Sequence, residues 1–285
     1  MVALIFAVWR GVVAHRQSVT AERQAETALR QSETAQQGLL NERYQKGGEM
    51  LGSEVLSVRL GGIYGLQRLA EEHPEQYHIL VMRLLCAFVR LPPANDGTQS
   101  NPQTHEGQSE QILELRSDVQ DAMKTIALRG SAGILMESSR EDNTLYLRDA
   151  RLTGLQLRNA NLSKAWLTNA NLSRAVLPYV DLSNSRLRLV DFSSAELRHS
   201  DLSNAVFWGA NFSGAVLWQA NLSGSDFCGA GARSASYRIP ARGLTQAQLD
   251  QAWADIDNPP KLEGVLDAET GEQLVWRGTR LDDDA

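Results

Sequence analysis

Apolar residues recur at every fifth position through the middle of the chain. Counting from Leu147 in steps of five, each position through Phe227 is Leu or Phe, seventeen in a row. Two residues before each stands a short side chain, mostly alanine and otherwise serine, valine or leucine. Five is neither the strand period of two nor the helix period of 3.6. A chain that turns a corner every five residues, with both restricted side chains inward, winds a coil filled by its own side chains. Successive coils then stack by backbone hydrogen bonds at strand spacing, ~4.8 Å. The predicted repeat core is Leu162, Leu167, Leu172, Leu177, Leu182, Leu187, Phe192, Leu197, Leu202, Phe207, Phe212, Leu217, Leu222 and Phe227. A repeat this regular sets the architecture over 145–238.

Before the repeats the spacing turns helical. Residues 1–17 begin "MVALIFAVW", interrupted by Arg10. A spanning helix needs ~20 apolar residues, so this run alone is too short. Three readings stay open: the end of a longer transmembrane helix, an interfacial anchor with Trp9 and Arg10 at the headgroups, or a helix packed on the protein. No basic residue precedes the run, against a cleaved signal peptide. Arg10, Arg16, Arg23 and Arg30 all follow it, so the positive-inside rule expects an inner-membrane association with the bulk of the chain cytoplasmic. Residues 18–46 contain a heptad, "TAERQAE", "TALRQSE", "TAQQGLL", which reads as a stalk helix, solvated or coiled against a second copy.

Residues 47–130 read as a helical module with a polar linker at 92–110. Leu56, Leu60, Ile63, Leu66 and Ala70 form one stripe. Gly61 and Gly62 each weaken that helix by about 1 kcal/mol, which demands close approach of a neighbour. Pro74 opens a second helix, whose segment 77–90 is apolar nearly all round and is expected to be a buried centre or an oligomer contact. A third helix is expected from Ile112 to Arg129. Residues 241–278 read as a cap: a helix, "LTQAQLDQAW", with Thr245 at its N-cap, then a hairpin turning at Thr270–Gly271. A solenoid needs such a cap to hide its apolar stack and unpaired edge.

The quintet "ANLSK", "ANLSR", "ANFSG" and "ANLSG", at Ala160, Ala170, Ala210 and Ala220, resembles the A-(D/N)-L-x-x motif of the pentapeptide repeat proteins. The resemblance covers about 145–237. It implies a mainly β solenoid plus α, a right-handed quadrilateral β-helix with four pentapeptides per coil preceded by the helical module. Seventeen repeats would make about four coils, ~20 Å of stacking. The segment "VRLGGIYGLQRLA" is also similar, more loosely, to a module preceding such repeats in some bacterial membrane-tethered members.

With twenty residues per coil, the Asn or Asp at 161, 171, 181, 191, 201, 211 and 221, and the serines two places later, line two opposite faces as ladders. The other faces vary. One carries Arg148, Trp166, Arg186, Arg188 and Trp208; the other carries Arg158, Tyr179, Glu196, Arg198, His199 and Trp218. Projecting aromatics mark contact sites. The partner-binding candidates are therefore Trp166, Arg186, Arg188, Trp208, Tyr179, Arg198 and Trp218. For Trp208 and Trp218 the alternative is cover by the C-terminal tail.

Chemistry adds exclusions. The chain has 285 residues, a net charge of −6 and 42% apolar residues. Two cysteines exclude a disulfide framework and a four-cysteine zinc site. Cys86 lies in an apolar run and is expected inert. His73 and His78 show no acidic or cysteine partner, and "RLGGIYG" lacks the lysine and strand context of a phosphate loop. The "NLS" and "NFS" sequons are explained by the repeat. No enzymatic activity, cofactor or metal is expected. Residues 145–240 hold ten basic and six acidic residues, a net of +4. Nucleic acid is therefore not expected as a partner, since binding that survives physiological salt needs about six or more phosphate contacts. The net charge is also opposite in sign to the acidic DNA mimicry by which some members of the resembled family protect gyrase. The reading is a membrane-tethered scaffold that binds an unidentified protein, with possible self-association through the stalk or helix 77–90. The alternative is a membrane-acting effector whose N-terminal helices oligomerise in the bilayer.

Overall fold

The computed structural model describes residues 2–93, 115–138, 145–228, 240–254 and 257–277. The start of the expected third helix and most of the linker lie outside them. The chain divides into two compact units, Met1–Lys46 and Gly47–Ala285.

One helix, α1 (Val2–Leu51), runs through the whole first unit and across both boundaries expected near residues 17 and 46. Among the described residues no helix is long and apolar enough to cross a membrane. Charged and polar residues recur along α1 from Arg10 onward, so the run of apolar residues before it gains no support as a spanning segment. Ala21, Ala28 and Ala35 are exposed. The heptad threonines fold back instead: Thr20, Thr27 and Thr34 donate their hydroxyls to the carbonyls of Arg16, Arg23 and Arg30 at 2.7–2.8 Å.

The second unit opens with the last turn of α1, followed by α2 (Leu56–Glu72), α3 (Pro74–Arg90), α4 (Ser117–Ala127) and α5 (Ser131–Ser138). The close approach that Gly61 and Gly62 demand comes from α1. A Cβ on Gly62 would stand 2.9 Å from the Gly47 carbonyl and from Met50 Cβ. Helix α3 packs against α2, α4 and α5 and buries Val81, Leu85, Cys86 and Val89. It is not apolar-covered all round, since Leu80, Arg83 and Ala87 are exposed. Burial pushes the Cys86 thiol up to about 12, an inert state.

The charged centre of this module was not foreseen. Arg59 and Asp118 are fully buried and paired, Nε to Oδ2, at 2.5 Å. Arg59 Nη1 also donates to the carbonyls of Ser53 and Glu54, tying down the turn between α1 and α2. Arg116 adds a second guanidinium to Asp118 at 2.7 Å. Burial alone would raise the Asp118 carboxyl. Hydrogen bonds from Arg116 and Arg59, and their charges, hold it below its ordinary value instead.

Residues 145–228 wind into a four-sided coil. Parallel bridges join each side to the next coil at an offset of twenty residues, from Tyr146–Trp166 to Val206–Asp226. On one side Leu147 N–H donates to Trp166 O at 2.9 Å; on the next, Leu152 N–H donates to Asn171 O at 2.8 Å. A corner every five residues leaves too little extended backbone for longer strands, so the sheets are columns of single bridges. At each corner the residue two places after the Leu or Phe takes a positive φ, as at Asp149, Lys164 and Leu189. All fourteen repeat-core residues from Leu162 to Phe227 are buried. Phe207 stacks on Phe227 at 4.8 Å and Phe192 on Phe212 at 5.4 Å. Where serine replaces the small alanine, its hydroxyl finds a carbonyl: Ser185 to Leu162, Ser200 to Leu177 and Ser225 to Leu222, at 2.7–2.9 Å. Buried hydroxyls without such partners would cost about 1–3 kcal/mol each.

Both ends of the coil are closed. At the start, the Gln120 side chain on α4 grips Gln156 like a strand, donating to its carbonyl at 2.6 Å and accepting from its N–H at 3.0 Å. Asn161 N–H donates to Ala127 O at 2.8 Å. At the far end the chain re-enters the coil rather than merely covering it. Arg242, Trp253 and Lys261 form parallel bridges with Asn211, Asn221 and Asp226. Between them lies a short helix, α6 (Gln246–Asp250), with a capping box between Thr245 and Gln248. The expected hairpin is reduced to one antiparallel bridge, Leu266–Gln273, beside a turn that Gly271 closes by donating to Asp267 O.

Candidate interaction surface

Two faces of the coil are ladders and two are varied. On the ladder faces, Asn or Asp Oδ1 accepts the backbone N–H of the serine two residues on, at 2.9–3.2 Å from Asn161 through Asn221. Neighbouring rungs join across coils: Asn161 Nδ2 donates to Asp181, Asn211 to Asp191 and Asn221 to Asp201. These side chains are engaged in holding the corners. The ladder is structural.

The varied faces carry the sequence-predicted site residues, and the twenty-residue offset brings them into two columns. In the first, the Trp166 ring meets Tyr146 at 5.1 Å, tilted by 37°, and lies between Arg148 and Arg186, whose guanidinium carbons stand 5.7 and 4.8 Å from its ring centre. Trp166 Nε1 donates to Thr168 Oγ1 at 2.9 Å, fixing the indole. Arg188 covers Trp208 at 4.6 Å. In the second column Tyr179 stacks flat on His199 at 4.6 Å, and His199 meets the Trp218 ring at 4.7 Å. Arg158 covers Tyr179 at 5.4 Å.

The columns differ in charge balance. Arg198 is paired with Glu196 at 2.9 Å. Arg148, Arg186 and Arg188 are exposed and have no carboxylate partner among the described residues. Trp218 remains 43% exposed. Tyr146 and His199 belong to the columns but were not singled out as contacts. Their positions twenty residues from Trp166 and Tyr179 would have found them.

Among the described residues no group of three or more His, Cys, Asp or Glu side chains is arranged to hold a metal. One sequence expectation is corrected here: His78 does have an acidic partner, Glu137, at 2.9 Å. The two are 59 residues apart, beyond the reach of any local pattern.

Comparison with known proteins supports the repeat. Residues 156–193 and 191–229 match the family model of pentapeptide repeats (8 copies). Among solved structures, a pentapeptide repeat protein of the Arabidopsis thaliana thylakoid lumen is similar at 28% identity, covering 26% of this chain and 52% of that one, with a TM-score of 0.26. The pentapeptide repeat protein Rfr23 of the cyanobacterium Cyanothece 51142 is similar at 24% identity, covering 41% and 65%, with a TM-score of 0.28. A third, from Nostoc Pcc 7120, is similar at 24% identity, covering 43% and 92%, with a TM-score of 0.24. The chain thus spans between half and two thirds of the first two. No curated protein matches it.

Proposed function

We propose that this chain, a carrier of pentapeptide repeats, is a non-enzymatic scaffold that binds another protein through the varied faces of its coil. One observation carries the reading: three arginines without acids opposite them among the described residues lie over tryptophan rings on a single face of the coil. A guanidinium already stacked on a ring loses little further freedom when it meets a carboxylate, and its fork matches that group in two hydrogen bonds. Trp, Tyr and Arg are also the residues that dominate binding energy at protein interfaces. The partner is therefore expected to present acidic side chains to Trp166, Arg186 and Arg188.

A crosslinking pull-down from the native host tests this. The wild-type chain should retain a stoichiometric partner, and the combined variant Trp166→Ala, Arg186→Glu, Arg188→Glu should lose it by at least tenfold, as expected for ~1.4 kcal/mol or more of lost contact. An unchanged partner would remove this face from the interface. Permeabilised liposomes without a partner would favour the membrane-acting effector instead.

The same proposal assigns residues 1–17 to peripheral attachment at a membrane surface. Trp9 is 62% exposed and adjoins Arg10, the pairing suited to a headgroup layer.

A further inference from the structure

The helical module contains a cavity of about 490 Å³, within the size range of small-molecule sites. Helices α2, α3 and α4 wall it together with Gly130 and Gly133 at the start of α5. Its apolar lining includes Ala70, Met82 and Leu128.

A buried polar chain forms one wall. Arg129, Glu137 and His78 have side chains only 4%, 9% and 6% exposed. Arg129 clamps Glu137 through two N–H groups at 2.7 Å, and Glu137 Oε1 lies 2.9 Å from His78 Nε2. In the tautomer that donates from His78 Nε2 to this carboxylate, Nδ1 keeps an acceptor lone pair. Gly133 leaves room for this ring, since a Cβ there would fall 2.3 Å from His78 Cε1. Arg129 is shared with the coil, donating through Nη1 to Asn161 O.

The charges lining the cavity do not cancel. Arg129 is matched by Glu137, and Lys124 by Asp121 at 3.1 Å. Among the described residues Glu71 is held by the neutral Gln67 amide, at 2.9 Å, and by no cation. One carboxylate and one imidazole acceptor remain beside an apolar floor, with the Tyr64 ring at the rim.

We propose that this cavity binds a small organic monocation with an apolar body, an arylalkylamine, whose ammonium is received by Glu71 and His78. The site is independent of the protein-binding faces of the coil. Calorimetric titration of the full chain with tryptamine, 3-ethylindole and indole-3-propionate, one ring with three charges, provides the test. Tryptamine should bind saturably at one site, about tenfold or more tighter than the other two. Glu71→Gln should bring tryptamine close to 3-ethylindole, and Leu128→Trp should block the mouth and abolish binding. Both positions are exposed, so these variants keep the fold, checked by circular dichroism. No saturable heat, equal affinity for the three compounds, or tryptamine binding unaltered in either variant would overturn the proposal.

Discussion

Twelve residues bearing side chains hold a left-handed backbone at the corners of the described coil, with φ between 53° and 61°. Such a conformation costs an L residue ~1–2 kcal/mol, least for Asn and Asp. Asn159, Asn169, Asn184 and Asn204 follow that preference, whereas Leu189 does not. Leu189 is 47% exposed, so little packing offsets its strain. Leu189→Gly should therefore stabilise the coil, by about 1 kcal/mol or less once glycine's unfolded freedom is counted, and raise Tm by a few degrees. Asn184→Gly should leave Tm nearly unchanged. Thermal unfolding followed by circular dichroism compares the pair.

At the scale of elements, the helical module is joined by charge and the coil by repetition. The coil's period was legible because each position recurs seventeen times. Arg59–Asp118 and His78–Glu137 each join residues 59 apart, and Arg129–Glu137 residues eight apart; each occurs once, so no repeated spacing announces it. The re-entry of Arg242, Trp253 and Lys261 was hidden for a related reason: residues 240–261 carry no run of the five-residue motif, yet share the coil's bridges. The two contact columns stood partway between, recoverable once twenty residues per coil was applied to the aromatics. Asp118 gives the module a pH dependence. Its carboxyl titrates lower folded than unfolded, so its contribution to stability is fully present above the unfolded value near pH 4. That contribution is lost as pH falls through the lower folded value. Chemical denaturation of the full chain should show the helical signal weakening below about pH 4. Asp118→Ala should destabilise the module by ~3–5 kcal/mol at neutral pH by leaving Arg59 buried without its carboxylate, and should flatten this acid transition.

For the whole molecule, the two units assign different work to different stretches of chain. The N-terminal helix is exposed along its heptad and too polar to span a bilayer, while the repeat unit carries the contact columns. Deleting residues 1–17 should therefore reduce co-sedimentation with anionic vesicles severalfold and leave the coil's unfolding midpoint unchanged. Undiminished sedimentation would end the attachment reading.

The twenty-residue register also governs how this chain can tolerate gain or loss of sequence. Removing five residues preserves the filling of the tube but turns everything downstream by a quarter revolution, scattering Trp166 and Arg186 from their vertical neighbours. Removing twenty shortens the column by one storey and leaves every later side chain facing as before. Surface recognition in such a protein is therefore heritable through duplications of whole storeys, and erased by single-motif slips that stability alone would never detect.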